Sequence, residues 1–520
     1  MWSCASWRLR ATLIGMIFLV IFWLLSPTSP QNAGSPDLSP DLSTFDSKVQ
    51  FDLKSQDSVF EHLPDLPAPQ EPLDPPDRHT IVPTAVAQPL VASHPPLPQE
   101  YTTVAKQVRF CADRFSVRYL ENLRDSATEY CTPNSSSPLT CFHSQTAGER
   151  VDTMCIGQNA MFSPTKTLFR MDCKLGDLAH PETPVAPPPF GSFHNYWYDT
   201  GPEEVLYRYV YVAADPGNSV PSQTPNYTIL VKREGVDNLW HCLMEVFSVA
   251  LTMGVLKMSS RPGDSRPFFT SADKGNTQAI LLDDHADGPY IDLWSIFGDK
   301  PTVRMHDLPP NTTFENIIVP LAGASNPLWQ GDWESLPCEG SALLNAFSHQ
   351  VIGVYGLGET QPRPGLEINI TFIDRAGSRK LLRQTQYLQE LQQAYPQAAI
   401  KSFDLAALSL KKQLEIIQHT DVLVGVHGAG LTHGIFLPPL STMVEILPFG
   451  VNHKGFRNVA SLMGHSYFPI HGAEPSEATV DATSDWHNQD VFLAQDKFMN
   501  LMGMVMKSIE IKRKGSSAVF

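Results

Sequence analysis

The sequence predicts an α/β protein with a parallel sheet in its second half, held behind an N-terminal membrane anchor and an extended stem. Three observations carry this. Apolar runs alternate with amphipathic stretches between Leu366 and Pro448, the pattern of βαβ units. An uncharged run, Ala11–Ser26, follows Arg8 and Arg10. A proline-rich acidic tract then separates that run from Cys111, where the cysteines of the body begin.

Ala11–Ser26 lies at the short end of what crosses a bilayer, about 20 residues, and a signal-peptide core has a similar length. Pro27 follows at once, without a small-x-small cleavage site, and the next basic residue is Lys48. These features favour an uncleaved anchor over a cleaved signal. The positive-inside rule then leaves the N-terminus in the cytoplasm and the rest in the lumen. Residues 27–100 hold 15 of the 44 prolines and 11 acidic against 3 basic side chains. Such a tract buries too little apolar surface to fold, and its prolines make it a spacer. The formal net charge of −16, with no Lys/Arg-rich run, argues against nucleic acid as a partner.

Cys111, Cys131, Cys141, Cys155 and Cys173 cluster, while Cys242 and Cys338 stand apart. No CxxC pair occurs, so zinc is not expected, and in a secretory lumen disulfides are. Seven such cysteines leave at least one unpaired within the chain. Asn134, Asn226, Asn311 and Asn369 are N-glycosylation candidates, Asn369 doubtful because it falls on a strand.

Tyr101 to about Arg233 reads as loop-rich. "YTILVKREG" and "QAILLDDH" read as strands, "DNLWHCLMEVFSVALTMGVL" and "GSALLNAFSHQVIGVYGL" as helices, and "GETQPRPG" as a connector. The expected divisions are 1–26 tail and anchor, 27–100 stem, 101–364 first domain and 365–520 second domain. In the second, "LEINITFIDR", "AAIKSFD", "DVLVGV" and "TMVEILP" are strands, and a helix closes the chain.

Ligands of parallel sheets bind at the strands' carboxyl ends. "DVLVGV" ends at Val426, so His427, Gly428, Ala429 and Gly430 occupy that edge. The glycines permit close backbone approach. A helix starting near Gly430 would aim its N–H groups at an anion, and His427 and His433 would add hydrogen bonds to phosphate oxygens. The competing reading is a tight turn whose histidines satisfy each other. An esterase oxyanion loop needs a GxSxG elbow downstream, and "GHSYF" lacks its last glycine. Arg375 and Arg379, with Lys380, follow another strand of the same sheet and suit phosphate, or a solvated basic turn. Glu445, on the next strand, is placed to accept from a ribose, or to make a surface ion pair. On the first-half helix, Asn238, His241, Glu245, Ser248 and Thr252 share one stripe. His241 and Glu245, at i and i+4, read either as an acid/base pair or as a local ion pair on an exposed face. Asp283 and Asp284 read as turn residues rather than metal ligands.

"DVLVGVHGAGLTHGIFLP", "ITFIDRAGSRKLLRQTQYLQEL" and "NLWHCLMEVFS" together resemble glycosyltransferase family 61, over roughly Tyr227–Gly472. The resemblance implies a GT-B-like architecture, two Rossmann-like domains facing across a cleft. It implies a UDP-sugar donor, inversion at the anomeric carbon, and transfer of GlcNAc or xylose to a protein or glycan hydroxyl. It places the donor at His427–His433 with Arg375, and the base at His241 and Glu245; no cofactor is expected, a divalent metal being possible but not favoured. The family's O-GlcNAc member has a cleaved signal and an ER-retention tail, whereas this chain has an anchor, a stem and the ending "SSAVF". A type II Golgi membrane protein is therefore expected, with the endoplasmic reticulum lumen as the alternative. A tethered nucleotide-sugar-binding protein without catalysis is the non-enzymatic alternative.

Overall fold

The structure, a computed structural model, describes residues 95–98, 100–101, 107–163, 165–178, 183–213, 226–261, 264–358, 367–474 and 486–517. The expected anchor, nearly all of the stem and the proposed boundary at 364–365 lie outside these residues. Everything described belongs to one unit built on two sheets.

The first sheet contains β1 (Thr128–Glu129), β2 (Leu139–Ala147), β3 (Arg150–Ser163), β4 (Leu168–Asp172), β5 (Val210–Ala213), β6 (Tyr227–Val231), β7 (Thr277–Leu281), β8 (Val303–Arg304) and β9 (Thr313–Val319). Its order is β1-β2-β3-β9-β6-β7-β8, with β4 on β3 and β5 on β4. From β9 through β6 and β7 to β8 the neighbours are parallel; β1, β2, β3 and β9 pair antiparallel. Residues 101–233 are thus richer in structure than their sequence suggests. The reason is visible in β3, whose central residues Asp152–Gln158 are all buried, so the polar/apolar alternation that betrays a strand is missing.

The second sheet contains β10 (Ile368–Ile373), β11 (Ala398–Phe403), β12 (Val422–Val426), β13 (Thr442–Leu447) and β14 (Ser466–His471). It is parallel throughout, in the order β11-β10-β12-β13-β14, the doubly wound arrangement whose switch point lies between β10 and β12. Helices Gln384–Ala394 and Gln495–Ser517 cover one face through Tyr387, Leu391, Phe498 and Met502. Helices Leu410–Ile417 and Gly455–Leu462 cover the other through Leu414 and Val459.

One hydrophobic core joins the two sheets. It runs from Ile229 and Leu281 through helices Leu239–Lys257 and Ala342–Val354 to Leu423 and Met443. Phe247 meets Phe347 at 5.1 Å between ring centroids, and Ser348 donates to the Ile435 carbonyl at 2.8 Å. Leu239–Lys257 is long and apolar enough to cross a membrane, but 89% of its apolar window is buried in the protein.

Disulfides join Cys111–Cys338, Cys131–Cys173 and Cys141–Cys155, and Cys242 is free and buried. The odd thiol required by the cysteine count is therefore Cys242. Asn134 and Asn311 lie exposed in turns. Asn369 sits inside β10 with its Nδ2 donating to the His419 carbonyl at 3.0 Å, and Asn226 accepts from the Glu315 N–H at 3.0 Å.

Cys111–Cys338 closes a loop of 227 residues and ties the helix Arg109–Phe115 to the segment that packs on helix Gly455–Leu462. Cys111→Ser is expected to cost about 3 kcal/mol. Urea unfolding of the oxidised protein checks this, and an unchanged midpoint would contradict it.

Candidate functional site

The carboxyl ends of β10 and β12 flank the switch point. Arg375 and Arg379 follow β10, and His427-Gly428-Ala429-Gly430 follows β12. Gly428 has φ +148°, a backbone that side chains rarely adopt. A Cβ there would stand 2.6 Å from Arg375 Nη1 and 3.3 Å from the Arg379 guanidinium carbon. Both guanidinium groups therefore lie against the bare backbone of Gly428. Arg375 is braced by its Nε donating to the Ser378 carbonyl at 2.8 Å, and burial lowers its pKa. Arg379 takes a left-handed backbone, φ +57°, and lays its guanidinium 5.5 Å from the Trp486 ring centroid. Lys380, the third base of this run, is exposed.

The turn after Gly428 is a 3₁₀ helix, Ala429–Phe436, rather than the α-helix the sequence suggests. Gly430 is needed for packing, since a Cβ there would come within 2.9 Å of Ile373 Cγ2. His433 is fully buried below the turn. Its Nδ1 meets the Gly430 carbonyl at 2.7 Å and its Nε2 meets Gln413 Oε1 at 2.8 Å. Burial pushes its pKa down to about 4, so it supports the turn from beneath. His427 and Glu445 come together: His427 Nδ1 donates to Glu445 Oε1 at 2.6 Å, and the Tyr467 hydroxyl donates to Glu445 Oε2. Pairing of Gly425 with Glu445 across β12 and β13 sets this contact. Burial lowers the His427 pKa against the pull of Glu445. Glu445 is thus completely buried and orients His427.

On the first lobe, Asn238 caps helix Leu239–Lys257, its side chain accepting from the Trp240 N–H. The polar stripe of this helix runs inward: Asn238 is exposed and His241 half-buried, but Glu245, Ser248 and Thr252 are buried. Ser248 donates to the Ala322 carbonyl at 2.8 Å, and Thr252 accepts from the Leu321 N–H at 3.1 Å. His241 pairs with Glu234 rather than Glu245: Nδ1 lies 2.9 Å from Glu234 Oε2. Glu245 accepts from the Glu234 backbone N–H at 3.0 Å. Among the described residues neither Glu234 Oε1 nor Glu245 Oε2 has a hydrogen-bond partner. Burial raises both carboxyl pKa values, and the charge of Glu234 pushes Glu245 further up. A Cβ on Gly323 would sit 2.8 Å from Glu245 Cγ and 3.1 Å from Glu234 Oε1, so this glycine closes the pocket over both.

Ring contacts connect the two sets of residues. His241 meets Trp329 at 4.7 Å, Trp329 meets Trp240 at 6.4 Å, Trp240 meets Phe456 at 5.6 Å, and Phe456 meets His427 at 5.4 Å. His453 joins at the far end, 4.8 Å from His427, with its Nε2 3.3 Å from Asp332 Oδ2. Glu234 was open to sequence reasoning, because it stands just beyond the β6 carboxyl end in "VKREG"; Trp329, His453 and Trp486 carried no local signal. Asp283 is held by Arg233, whose Nη2 donates at 2.8 Å, and its pKa is lowered although burial opposes this. Asp284 is exposed.

Comparison with known proteins covers the same elements. Residues 239–444 match the family model Glycosyltransferase 61. The chain is 24% identical over 397 residues to an EGF domain-specific O-linked N-acetylglucosamine transferase of Drosophila melanogaster, 68% of each chain. Proteins of that name from Bos taurus and Xenopus laevis are 28% identical over 218 residues, 40% of this chain and 37% of theirs, and 36% identical over 113 residues, 21% of each.

Glu245 generates a stability prediction. A group whose folded pKa is raised contributes stability that is present below its unfolded pKa and is lost as pH rises through the folded one. Gln keeps the neutral form. The melting-temperature advantage of Glu245→Gln over the parent is expected to grow from pH 5 to pH 8, and an advantage that shrinks over this range would contradict the placement.

Proposed function

We propose that this chain, a glycosyltransferase with a family 61 domain, moves GlcNAc from UDP-GlcNAc to a hydroxyl of a folded EGF-type protein domain, with inversion. The two lobes are read as the halves of a GT-B-like enzyme, the first holding the acceptor and the second the donor. The observation that carries this reading is the chain of packed rings that joins the His241–Glu234 pair to His427 beside the Arg375–Arg379 cradle. It supports a base and an anion site acting on one substrate pair.

In this mechanism Glu234 accepts from His241 Nδ1–H, which leaves Nε2 as the base. The acceptor oxygen attacks the anomeric carbon while its proton passes to Nε2. The bond from that carbon to the diphosphate oxygen breaks on the opposite face. UDP departs with its added charge against Arg375, Arg379 and the Gly428 backbone. Glu245 positions the chain at Glu234; its full burial favours His241 over it as the base. His427, set by Glu445, is left with Nε2 for the donor's phosphates or ribose. The enzyme is assigned to the lumen of the secretory pathway, tethered to the Golgi membrane through residues 1–26, a placement that the three disulfides fit.

Release of UDP from a panel of UDP-sugars by the full-length chain, with and without EDTA, tests the donor. UDP-GlcNAc turnover that survives EDTA is expected; turnover of UDP-xylose alone would replace the sugar, and loss in EDTA would reopen Asp283 and Asp284 as metal ligands. His241→Ala is expected to lower kcat for transfer by at least about 100-fold with donor binding retained, as isothermal titration with UDP would report. Gly428→Ala is expected to do the reverse, displacing Arg375 and weakening UDP binding about tenfold. Unchanged UDP affinity in that variant would remove the cradle from the donor site.

A further inference from the structure

We infer that the turn carrying Trp197 and Tyr198 reads the acceptor polypeptide next to His241; this rests on the transferase reading above. Trp197 is 76% exposed and Tyr198 56% exposed, whereas Tyr196 before them is buried. Large rings at such exposure are kept for contact more often than for folding. The backbone pushes them outward at a cost. Tyr198 and Asp199 have φ of +66° and +50°, left-handed values that disfavour side chains other than glycine by about 1 kcal/mol or more each.

The surrounding residues hold this conformation in place. The buried Tyr196 hydroxyl donates to Asp152. Lys232 Nζ donates to the Asp199 carbonyl at 2.6 Å and the Tyr198 carbonyl at 3.4 Å. Gly201, at φ +84°, packs so closely that a Cβ would stand 2.8 Å from Ala322 Cβ, next to the Gly323 that covers Glu234 and Glu245. The turn is thereby fastened to the segment enclosing the carboxylates. Tyr198 presents its ring edge-on to His241, 5.4 Å between centroids at 82°. Tyr198 thus borders His241, where the acceptor hydroxyl is placed by the transferase reading.

The adjacent exposed rings of Trp197 and Tyr198 favour a polypeptide over a lone sugar. Tyr207 is 78% exposed and Tyr211 49% exposed, so four exposed aromatic rings fall within fifteen residues. Glu204, on the helix that bears Tyr207, lies 3.7 Å from Lys232 Nζ, which links that helix to the turn. A monosaccharide stacks on one ring, whereas rigid amphipathic rings in number are characteristic of protein interfaces.

Full-length protein carrying Trp197→Ala or Tyr198→Ala tests this against folded acceptor domain, reduced acceptor peptide and a simple glycoside. KM for the folded domain is expected to rise about tenfold or more, while acceptor-independent UDP release and donor KM stay at parent values. Tyr198→Phe is expected to keep most of the parent's affinity. An unchanged acceptor KM would overturn the inference, as would an equal loss of donor turnover, which would mean that the turn only braces His241. Impairment seen with the glycoside but not with the domain would make the turn a sugar platform instead. A parent protein that turns over no donor would defeat the transferase reading itself, an outcome visible before any variant is made.

Discussion

The arrangement depends on a single apolar helix fixed between two sheets. In Leu239–Lys257 every residue except His241, Ala250 and Lys257 is buried. A helix buried around nearly its whole circumference has almost no solvent face and is enclosed on all sides. Phe247 packs on the helix Ala342–Val354, and Trp240 packs on Phe456 of the second lobe. Each such side chain contributes about 1.5–3 kcal/mol by burial, so the helix cannot slide without losing several at once. His241 stands in its first turn. The distance from this histidine to the arginine cradle is consequently set by core packing and not by a flexible hinge.

The polar stripe on that helix refines the same constraint. Apolar contacts fix how far apart two elements lie but are tolerant of rotation. Ser248, Thr252 and Asn326 add directional bonds to the backbone of 321–326 and to the helix itself. Those bonds index the helix about its axis, since a rotated helix would leave buried donors unmet. The segment they grip contains Gly323, which in turn encloses Glu234 and Glu245. Burial of these carboxyls is thus a consequence of how the helix is indexed. In the second lobe Tyr467 and Glu445 perform the matching task for His427.

The second lobe was largely legible from sequence, because its strands and helices alternate and its glycines sit at a strand end. The positions of Arg375 and Arg379 beside Gly428 follow from the topology, since strands on either side of a switch point deliver their following residues to one crevice. His433 was misleading because spacing says nothing of depth: three residues beyond Gly430 a 3₁₀ turn points inward. The i, i+4 relation of His241 and Glu245 was real, but a partner from the preceding loop, Glu234, lay nearer. The first lobe was harder to see. Its long strands are buried on both faces, and disulfides rather than patterned turns hold its edges. The cross-lobe rings, Trp329, His453 and Trp486, come from separate loops, and only the fold brings them together.

Cys242 has one more implication. It is the odd thiol among the described cysteines, adjacent in sequence to His241, beside three disulfides among the described residues. Thiolate, not thiol, attacks a disulfide. Burial raises the Cys242 pKa to about 12, with Glu245 adding to the effect, and its Sγ rests on the Gly235 carbonyl at 3.6 Å. At neutral pH the reactive thiolate is a rare form. Once the helix has docked, Cys242 is chemically silent and the pairing pattern is locked against scrambling. Before docking it is an ordinary competitor for the other six. Docking of this helix thereby withdraws Cys242 from competition with the six cysteines that pair.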